Sequence, residues 1–367
     1  MKRVILAVAI CLTLISDNAI GVNFKKIEAT GPGNRIHGMD ISRWQHPYDK
    51  PINFKKMYDA GVRFVLIKGS DTIDTSDAQA RKYMPSDRAA AQAAGIYTGF
   101  YHYTTLPDTS KKDVLIADAK AQAQKVVWRL ASIGGYTDKD LPIALDLENH
   151  CIRGKLANCK RYASKKFVTL WAETFLAEVS AKTVRKPFLY SYPQFLENSM
   201  VRSKELIKYP LWIAQYGKDP AVSTNQPGLK KVGCYAHSWT KANCTSDWQI
   251  WQYTSCGIGS KYGVPSSRVD LNVFAGSESQ FAEFTTGSWQ PTASDMLPSG
   301  ESTSMALVQS NIGDSESLTS FVVDVVRPDG TPVVTGTVKF KSAGSCIFWS
   351  VVVKYYKTSG RQLCWCN

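Results

Sequence analysis

Residues 140–151, "DLPIALDLENHC", contain the pattern that decides the fold. An apolar run of strand length ends there in two acids, Asp146 and Glu148, which are one residue apart. Residues two apart in a β-strand face the same side, so Ala144, Asp146 and Glu148 are predicted to share one face of the strand. The stretch therefore indicates a buried strand whose carboxyl end presents a pair of carboxyl groups.

Seven other short apolar or aromatic stretches are predicted to be strands. They are "IHGMDIS", "FVLIKGS" and "GIYTGFYHY" before the quoted stretch, and "PFLYSY", "LWIAQY", "WQIWQYT" and "VDLNVF" after it. Helical patterns follow the first five strands: "NFKKMYDAG", "SDAQARKYMPSDRAAAQAAG", "KKDVLIADAKAQAQKVVWRLASIGG", "KRYASKKFVTLWAETFLAEVSAK" and the short "PQFLENSM". The apolar face of the third helix is predicted from the spacing of Val114, Ala117, Ala121, Val127 and Leu130. Past "LWIAQY" the sequence predicts only loops and strands.

The alternation of strands and helices predicts an α/β fold with a parallel sheet. Eight strands favour closure of that sheet into a TIM-like barrel, whose later strands lack helices. The main alternative is an open doubly wound sheet. It lacks the required phosphate loop, because "GIGSKYG" precedes a strand instead of joining a strand to a helix.

The N-terminus predicts an exported protein. Residues 1–21, "MKRVILAVAICLTLISDNAIG", have the basic start, short apolar stretch and small-residue end of a secretory signal. The apolar stretch is too short to span a bilayer, so no stable membrane insertion is expected after its removal. The mature chain is therefore predicted to be secreted or periplasmic.

Cysteine usage fits an oxidising compartment. Of the nine cysteines, Cys11 lies in the signal, and the other eight belong to a chain whose thiols are expected to oxidise, so disulfides are expected. Short loops favour the pairs Cys151–Cys159 and Cys234–Cys244. Metal binding is not predicted, because no CxxC pair with nearby histidines is present.

Two further units are predicted after the barrel, which spans about residues 35–276. Residues 277–318 are rich in Ser and Thr and are predicted to be a linker. Residues 319–367 alternate in strand fashion and predict a small β-rich unit of unknown role. A unit of this size has a small core and needs a disulfide bond to stabilise it. The candidate is a bond from Cys346 to Cys364 or Cys366.

The net charge of +13 favours an anionic partner. It falls only to +12 when residues 1–21, with two basic residues and one acidic residue, are removed. Nucleic acid, an acidic lipid surface and an anionic cell-wall polymer all fit the charge, and a secretory signal argues against nucleic acid.

Other strand ends supply side chains that fit a glycan cleft. Asp40 ends the first strand and Asp270 opens the last, and closure of a barrel makes these two strands neighbours. Aromatic and amide side chains that suit a sugar chain stand at further strand ends: Tyr101, Tyr190, Trp212, Tyr216 and Gln252.

Neighbouring carboxyl groups cannot both ionise easily, so one can act as a general acid while the other stays charged. Glycoside hydrolysis requires two carboxyl groups with these different protonation states. The alternative is that Asp146 and Glu148 are solvated or paired with Arg153 or Lys155.

The ordered motifs "GMDISRWQ", "FVLIKGSD", "GFYHY", "IALDLE", "LYSY", "LWIAQYG", "WQIWQYTS" and "VDLNVF" resemble those of glycoside hydrolase family 25. These are the Chalaropsis-type lysozymes, which are N-acetylmuramidases, and the resemblance covers about residues 35–276. It implies a barrel of five strand-helix units followed by three strands. It also implies cleavage of the β-1,4 bond between N-acetylmuramic acid and N-acetylglucosamine in peptidoglycan.

The resemblance implies specific roles for the four acids. Glu148 is similar to the family's general acid, and Asp146 would stabilise or orient the reacting centre. Asp40 and Asp270 would complete the acidic cleft. No cofactor is implied.

Two other functions stay open from the sequence. Chitinase-like enzymes also end a strand in DxE, although they have two further aspartates upstream, where this chain has Pro142 and Ala144. A non-catalytic wall-binding protein could keep the same barrel as a lectin. The four acids argue against this last reading.

Overall fold

The computed structural model describes residues 27–153, 159, 161–228, 237–241 and 245–291, together with the strands of a second sheet. The predicted signal, the proposed pair Cys234–Cys244, and Cys364 and Cys366 lie outside the described residues. Among the described residues, no helix combines the length and apolarity that crossing a bilayer requires.

The main body is a closed barrel of eight strands in sequence order, as predicted. The strands are β1 (Ile36–Ile41), β2 (Phe64–Asp71), β3 (Tyr97–Tyr103), β4 (Ala144–Asp146), β5 (Phe188–Ser191), β6 (Leu211–Ala214), β7 (Ile250–Ile258) and β8 (Arg268–Phe274). The helices are α1 (Phe54–Asp59), α2 (Asp74–Ala93), α3 (Lys112–Ala131), α4 (Lys165–Thr183), α5 (Pro193–Asn198) and α6 (Glu278–Glu283). The first five strands are each followed by a helix, which gives the TIM-like α/β fold.

The last strand runs against its neighbours. Strands β1 to β7 pair in parallel, whereas β8 is antiparallel to both β7 and β1. The prediction of an all-parallel sheet was therefore wrong for β8. The connection before β8 contains no long helix, so the chain returns by a short route, which requires reversal of direction. As a consequence, the start of β8 lies at the same end of the barrel as the carboxyl ends of the other strands.

The core has two layers. One apolar cluster fills the barrel and includes Phe64, Leu66, Phe188 and Phe274. A larger cluster lies between the sheet and the helices. Gly38 makes room inside the barrel, because a Cβ atom there would overlap the ring of Phe64.

The face of α3 differs from its predicted one. Val127 and Leu130 are buried, but Val114 is 43% exposed. The buried row instead consists of Leu115, Ala119, Ala123, Val126, Val127 and Leu130. This row places larger side chains against the barrel than the Ala117 and Ala121 row does, and burial of apolar area favours it.

Two helices begin at residues other than the predicted ones. Helix α2 begins two residues before the predicted Ser76, at Asp74. Helix α4 begins at Lys165 and not at Lys160, because the Ser164 side chain accepts a hydrogen bond from the amide of Phe167 and caps the helix.

The prediction of no helix after β6 was wrong. Helix α6 lies inside the stretch that the sequence predicts as a linker, and its Phe281 is fully buried. Phe281 packs on Phe64, Tyr97 and Phe274, which are the residues of β2, β3 and β8 at the end opposite the carboxyl ends of the parallel strands. Helix α6 therefore closes the bottom of the barrel.

The C-terminal stretches form a separate sheet. Its strands are β9 (Ser304–Met305), β10 (Ser320–Val326), β11 (Pro332–Ala343) and β12 (Cys346–Val353), in the order β12-β11-β10-β9. All pairings in it are antiparallel. Strands β10 to β12 lie within residues 319–367, for which the alternating pattern predicts a β-rich unit.

Candidate active site

The carboxyl ends of the parallel strands open into a cavity of about 420 Å³. Its lining contains all nine residues that the sequence analysis selected: Asp40, Tyr101, Asp146, Glu148, Tyr190, Trp212, Tyr216, Gln252 and Asp270. A second cavity of about 310 Å³ adjoins it and shares Glu148, Tyr190 and Tyr216 with it. Glu148 thus lies at the junction of two lobes of one open cleft.

Asp40 and Asp270 lie directly opposite each other in the β1–β8 pairing. Burial, followed by the charge of Asp40, raises the pKa of Asp270 to about 8. A hydrogen bond joins the two side chains and also favours the protonated form of Asp270. In this pair, protonated Asp270 donates a hydrogen bond to the Asp40 carboxylate.

Two amides hold one oxygen of Asp40. The Gln252 Nε2 atom donates to Asp40 Oδ2 at 2.8 Å, and the Asn272 Nδ2 atom donates to the same oxygen at 2.7 Å. Burial raises the pKa of Asp40, and these hydrogen bonds oppose that shift by stabilising the carboxylate. Asp40 is therefore the member of the pair that is equipped to be charged.

The amides are held in turn by aromatic side chains. Gln252 Oε1 accepts from the hydroxyl groups of Tyr190, at 3.0 Å, and Tyr216, at 2.6 Å. Asn272 Oδ1 accepts from Trp212 Nε1 at 2.8 Å. The oxygen of each amide accepts hydrogen bonds from aromatic side chains. This orients the amide so that its NH2 group faces Asp40.

Asp146 is buried at the end of β4. Its pKa is raised well above the ordinary value, first by burial and then by the charge of Glu148. Its Oδ1 atom has no hydrogen-bond partner among the described residues. A buried oxygen of this kind is suited to meet a polar group of a substrate.

Glu148 lies beyond the last residue of β4, in the loop, and not on the strand as predicted. It nevertheless lines the same cleft as Asp146. Burial raises the pKa of Glu148, the charge of Asp40 raises it further, and Lys68 opposes both. Burial and the charge of Asp40 thus shift Glu148 toward its protonated form, and the side chain borders an open cavity.

The alternative that the acids form salt bridges with Arg153 is wrong. Arg153 forms a bidentate ion pair with Asp118, at 2.7 and 3.1 Å. Lys155 lies outside the described residues. Lys68 also lines the cleft; its Nζ atom pairs with Asp71 at 2.6 Å and lies 4.6 Å from the centre of the Tyr103 ring.

Comparison with known proteins gives the family of this barrel. A family model described as glycosyl hydrolases family 25 matches residues 39–261, which is more than half of the chain. The chain belongs to glycosyl hydrolase family 25. It is therefore a glycoside hydrolase, as the motifs predict.

Relatives of this family 25 chain include both curated sequences and solved structures. An N,O-diacetylmuramidase of Arthroderma benhamiae is 28% identical over 213 residues, which is 57% of this chain and 80% of the relative. The Escherichia coli (strain K12) protein YegX, described as uncharacterized, is 27% identical over 254 residues, 69% of this chain and 74% of the relative. The crystal structure of a bacterial lysozyme from Streptomyces coelicolor has a TM-score of 0.50 and 24% identity, covering 68% of this chain and 97% of that one. This last similarity supports the fold.

Several residues of the family 25 cleft were missed by the sequence analysis. Asn272 is two residues after Asp270 on β8, so strand alternation places both on the interior face. Lys68 and Trp44 also line the cavity. Lys68 lies near the end of β2 and Trp44 follows β1, and position at a strand end was the signal available for both.

The predicted disulfide between Cys151 and Cys159 is present. It closes the insertion that follows Glu148 in the chain. Among the described residues, no group of three or more His, Cys, Asp or Glu side chains is arranged to hold a metal ion. His102, a residue that could have been a base, is buried against Phe175 and bonded to Ser70.

Proposed function

We propose that this chain is an exported lysozyme-type muramidase. It hydrolyses the β-1,4 bond between N-acetylmuramic acid and N-acetylglucosamine in peptidoglycan. The observation that supports this most strongly is the convergence of Asp40, Asp146, Glu148 and Asp270 on one open cleft. Membership of family 25 and similarity to an N,O-diacetylmuramidase support the choice of peptidoglycan.

Glu148 acts as the general acid in this proposal. Burial and the charge of Asp40 raise the pKa of its carboxyl group, and the protonated form donates its proton to the glycosidic oxygen as the bond from C1 to that oxygen breaks. Water then adds to C1, and Glu148 takes up the proton that the water releases. Its place at the junction of the two lobes allows sugar units to extend on both sides of the bond.

Asp146, whose pKa is raised by burial, orients the N-acetyl group of the substrate toward C1 by a hydrogen bond, or stabilises the positive charge that develops there once it is ionised. Its Oδ1 atom is buried without a partner, so the protein leaves that oxygen available to the substrate. Asp40 and Asp270 hold negative charge and a shared proton at the other side of the cleft.

Export and wall attraction complete the proposal. The signal-like residues 1–21 and the disulfide between Cys151 and Cys159 both suit an oxidising compartment outside the cytoplasm. The net charge of +13 suits attraction to anionic cell-wall polymers. Tyr101, Tyr190, Trp212, Tyr216 and Gln252 would contact the sugar chain.

The test is digestion of purified peptidoglycan followed by mass analysis of the products. We expect fragments with N-acetylmuramic acid at the new reducing end, and loss of activity by a factor on the order of 10² to 10⁴ in Glu148→Gln. Glu205→Gln, which changes an exposed acid paired with Lys208 outside the cleft, is the matched control and should keep full activity. Products ending in N-acetylglucosamine, or faster turnover of chitin, would contradict the proposed bond. Binding to walls without release of fragments would support a lectin instead.

A further inference from the structure

One rim of the cleft contains an exposed tryptophan to which the proposed mechanism gives no role. Trp44 lies in a short 3-10 helix, Arg43–Gln45, that follows β1. Trp44 is 69% exposed, and it lines the cavity that contains the four acids. A single exposed apolar side chain is common on protein surfaces, but this one lines the cleft that contains the candidate catalytic acids.

Hydrogen bonds within this turn fix the backbone of Trp44. The Ser42 amide donates to Gln45 Oε1 at 2.7 Å, and Ser42 Oγ accepts from the amide of Trp44 at 3.3 Å, so the two ends of the turn cap each other. Gln45 is itself buried. The exposure of Trp44 is therefore the product of a fixed backbone, and its ring is presented to solvent without being part of the core.

Arg43 covers one face of that ring. Its guanidinium carbon lies 4.0 Å from the centre of the Trp44 ring. Among the described residues, no carboxylate forms an ion pair with Arg43, and the side chain also lines the cavity. The pair presents an open aromatic surface next to an available positive charge.

Polar side chains complete this end of the cleft. Ser76 and Gln79 are three residues apart on α2, so they face the same direction, and both line the cavity together with Trp44. A hydroxyl and an amide beside an aromatic face form a surface suited to a sugar ring, whose apolar face stacks and whose hydroxyl groups accept and donate hydrogen bonds.

We propose that Trp44 and Arg43 form a sugar subsite for an N-acetylmuramic acid unit outside the cleaved bond. The sugar ring stacks on the open face of Trp44, and a carboxylate of that unit pairs with Arg43. This carboxylate is either the free lactyl group or a group of the attached stem peptide. The inference rests on the proposed function for the identity of the sugar, and the binding measurement below is independent of catalysis.

The first experiment measures kinetics of Trp44→Ala on soluble peptidoglycan strands. We expect KM to rise about tenfold, because one aromatic stacking contact is lost, while kcat stays within about twofold. Trp44→Phe should restore most of the affinity. The matched control is Tyr48→Ala, which removes an aromatic side chain that is 95% exposed in the same connection but does not line the cleft. A KM for Trp44→Ala equal to that of the unchanged enzyme would overturn the subsite.

The second experiment measures binding by calorimetry in the inactive Glu148→Gln background. Trp44→Ala in this background should weaken binding of the strands about tenfold. If the Trp44-dependent binding is found but the parent enzyme releases no fragments, the subsite holds and the proposed function fails. If fragments are released but Trp44→Ala leaves the binding affinity unchanged, the proposed function holds and the subsite fails.

The third experiment identifies the carboxylate. Arg43→Gln is compared on strands with intact stem peptides and on strands from which an amidase has removed them, at low and high salt. A loss confined to the intact strands assigns the carboxylate to the peptide, and a loss confined to the stripped strands assigns it to the lactyl group. Unchanged affinity on both kinds of strand would overturn the role of Arg43.

Discussion

Asp40 determines the charge balance of the cleft at the scale of single residues. Its Oδ2 atom receives hydrogen bonds from two amides, and Asp270 supplies a third to the side chain. An ionised Asp40 then raises the pKa of Glu148, which the proposal requires to be protonated. The chain thus uses one buried carboxylate, stabilised by hydrogen bonds, to favour the neutral form of a neighbouring acid.

We expect the substitution Asp40→Asn to move the alkaline limb of the activity profile to lower pH. The charge of Asp40 raises the pKa of Glu148, so its removal lowers that pKa, and Glu148 loses its proton earlier as the pH rises. The measurement is kcat/KM against pH, with each profile scaled to its own maximum.

The substitution Lys68→Met should have the opposite effect. The positive charge of Lys68 lowers the pKa of Glu148, so its removal should move the alkaline limb to higher pH. Shifts of both variants in the same direction would show that the limb reports some other group.

Much of the site could be predicted at this scale. The alternation around residues 140–151 and the aromatic strand ends select residues that do line the cleft. The contacts between them could not be predicted, because Gln252 and Asn272 meet Asp40 across more than two hundred residues of chain. Nothing in local spacing specifies which amide faces which carboxylate.

Helix α6 shows the limit of prediction at the scale of elements. It has six residues, too few for a clear 3.6-residue period, and it lies in a stretch whose Ser and Thr content suggests a linker. A capping box between Ser277 and Gln280 begins it. Arg185 then holds the following segment through the carbonyl oxygens of Thr285 and Gly287.

We expect Phe281→Ala to lower the free energy of unfolding by about 3 to 5 kcal/mol. The side chain is fully buried against three aromatic rings at the bottom of the barrel, and the bulk of that contact would be replaced by a cavity. Chemical denaturation measures the change. Glu283→Ala, an exposed position on the same helix, is the control and should stay near the parent value. Equal stabilities for the two variants would mean that α6 does not close the barrel.

At the scale of the whole molecule, closure of the barrel creates the acidic cleft. Strand β8 returns antiparallel between β7 and β1, and this reversal brings Asp270 beside Asp40. In a parallel β8 the same residue, near the start of the strand, would lie at the opposite end of the barrel. The collected acids are costly to bury, so the site is expected to reduce the stability of the fold.

We expect Asp270→Asn to stabilise the protein increasingly as the pH rises from 4 to 8. The folded-state pKa of Asp270 is raised to about 8, above its ordinary value of 3.8, so the native state binds more protons than the unfolded state across this window. Stability contributed by this group is therefore present at low pH and lost as pH rises through the window. Asparagine never ionises and avoids that loss, which amounts to on the order of 5 kcal/mol at pH 8.

The measurement is the difference in Tm between Asp270→Asn and the parent at a series of pH values. This difference should grow with pH. Asp138→Asn, at an exposed carboxylate outside the cleft, should show no comparable growth. A constant difference for Asp270→Asn would contradict the raised pKa.

The sequence by itself determined the strand order, the α/β barrel, the family and the nine residues around the cleft. These follow from local periodicity and from motifs, which are properties of short segments. The tertiary structure alone decided the direction of β8, the packing of α6, the partners of Asp40 and the exposure of Trp44. Each of these depends on burial and on contacts between distant segments, and such contacts exist only after the barrel has closed.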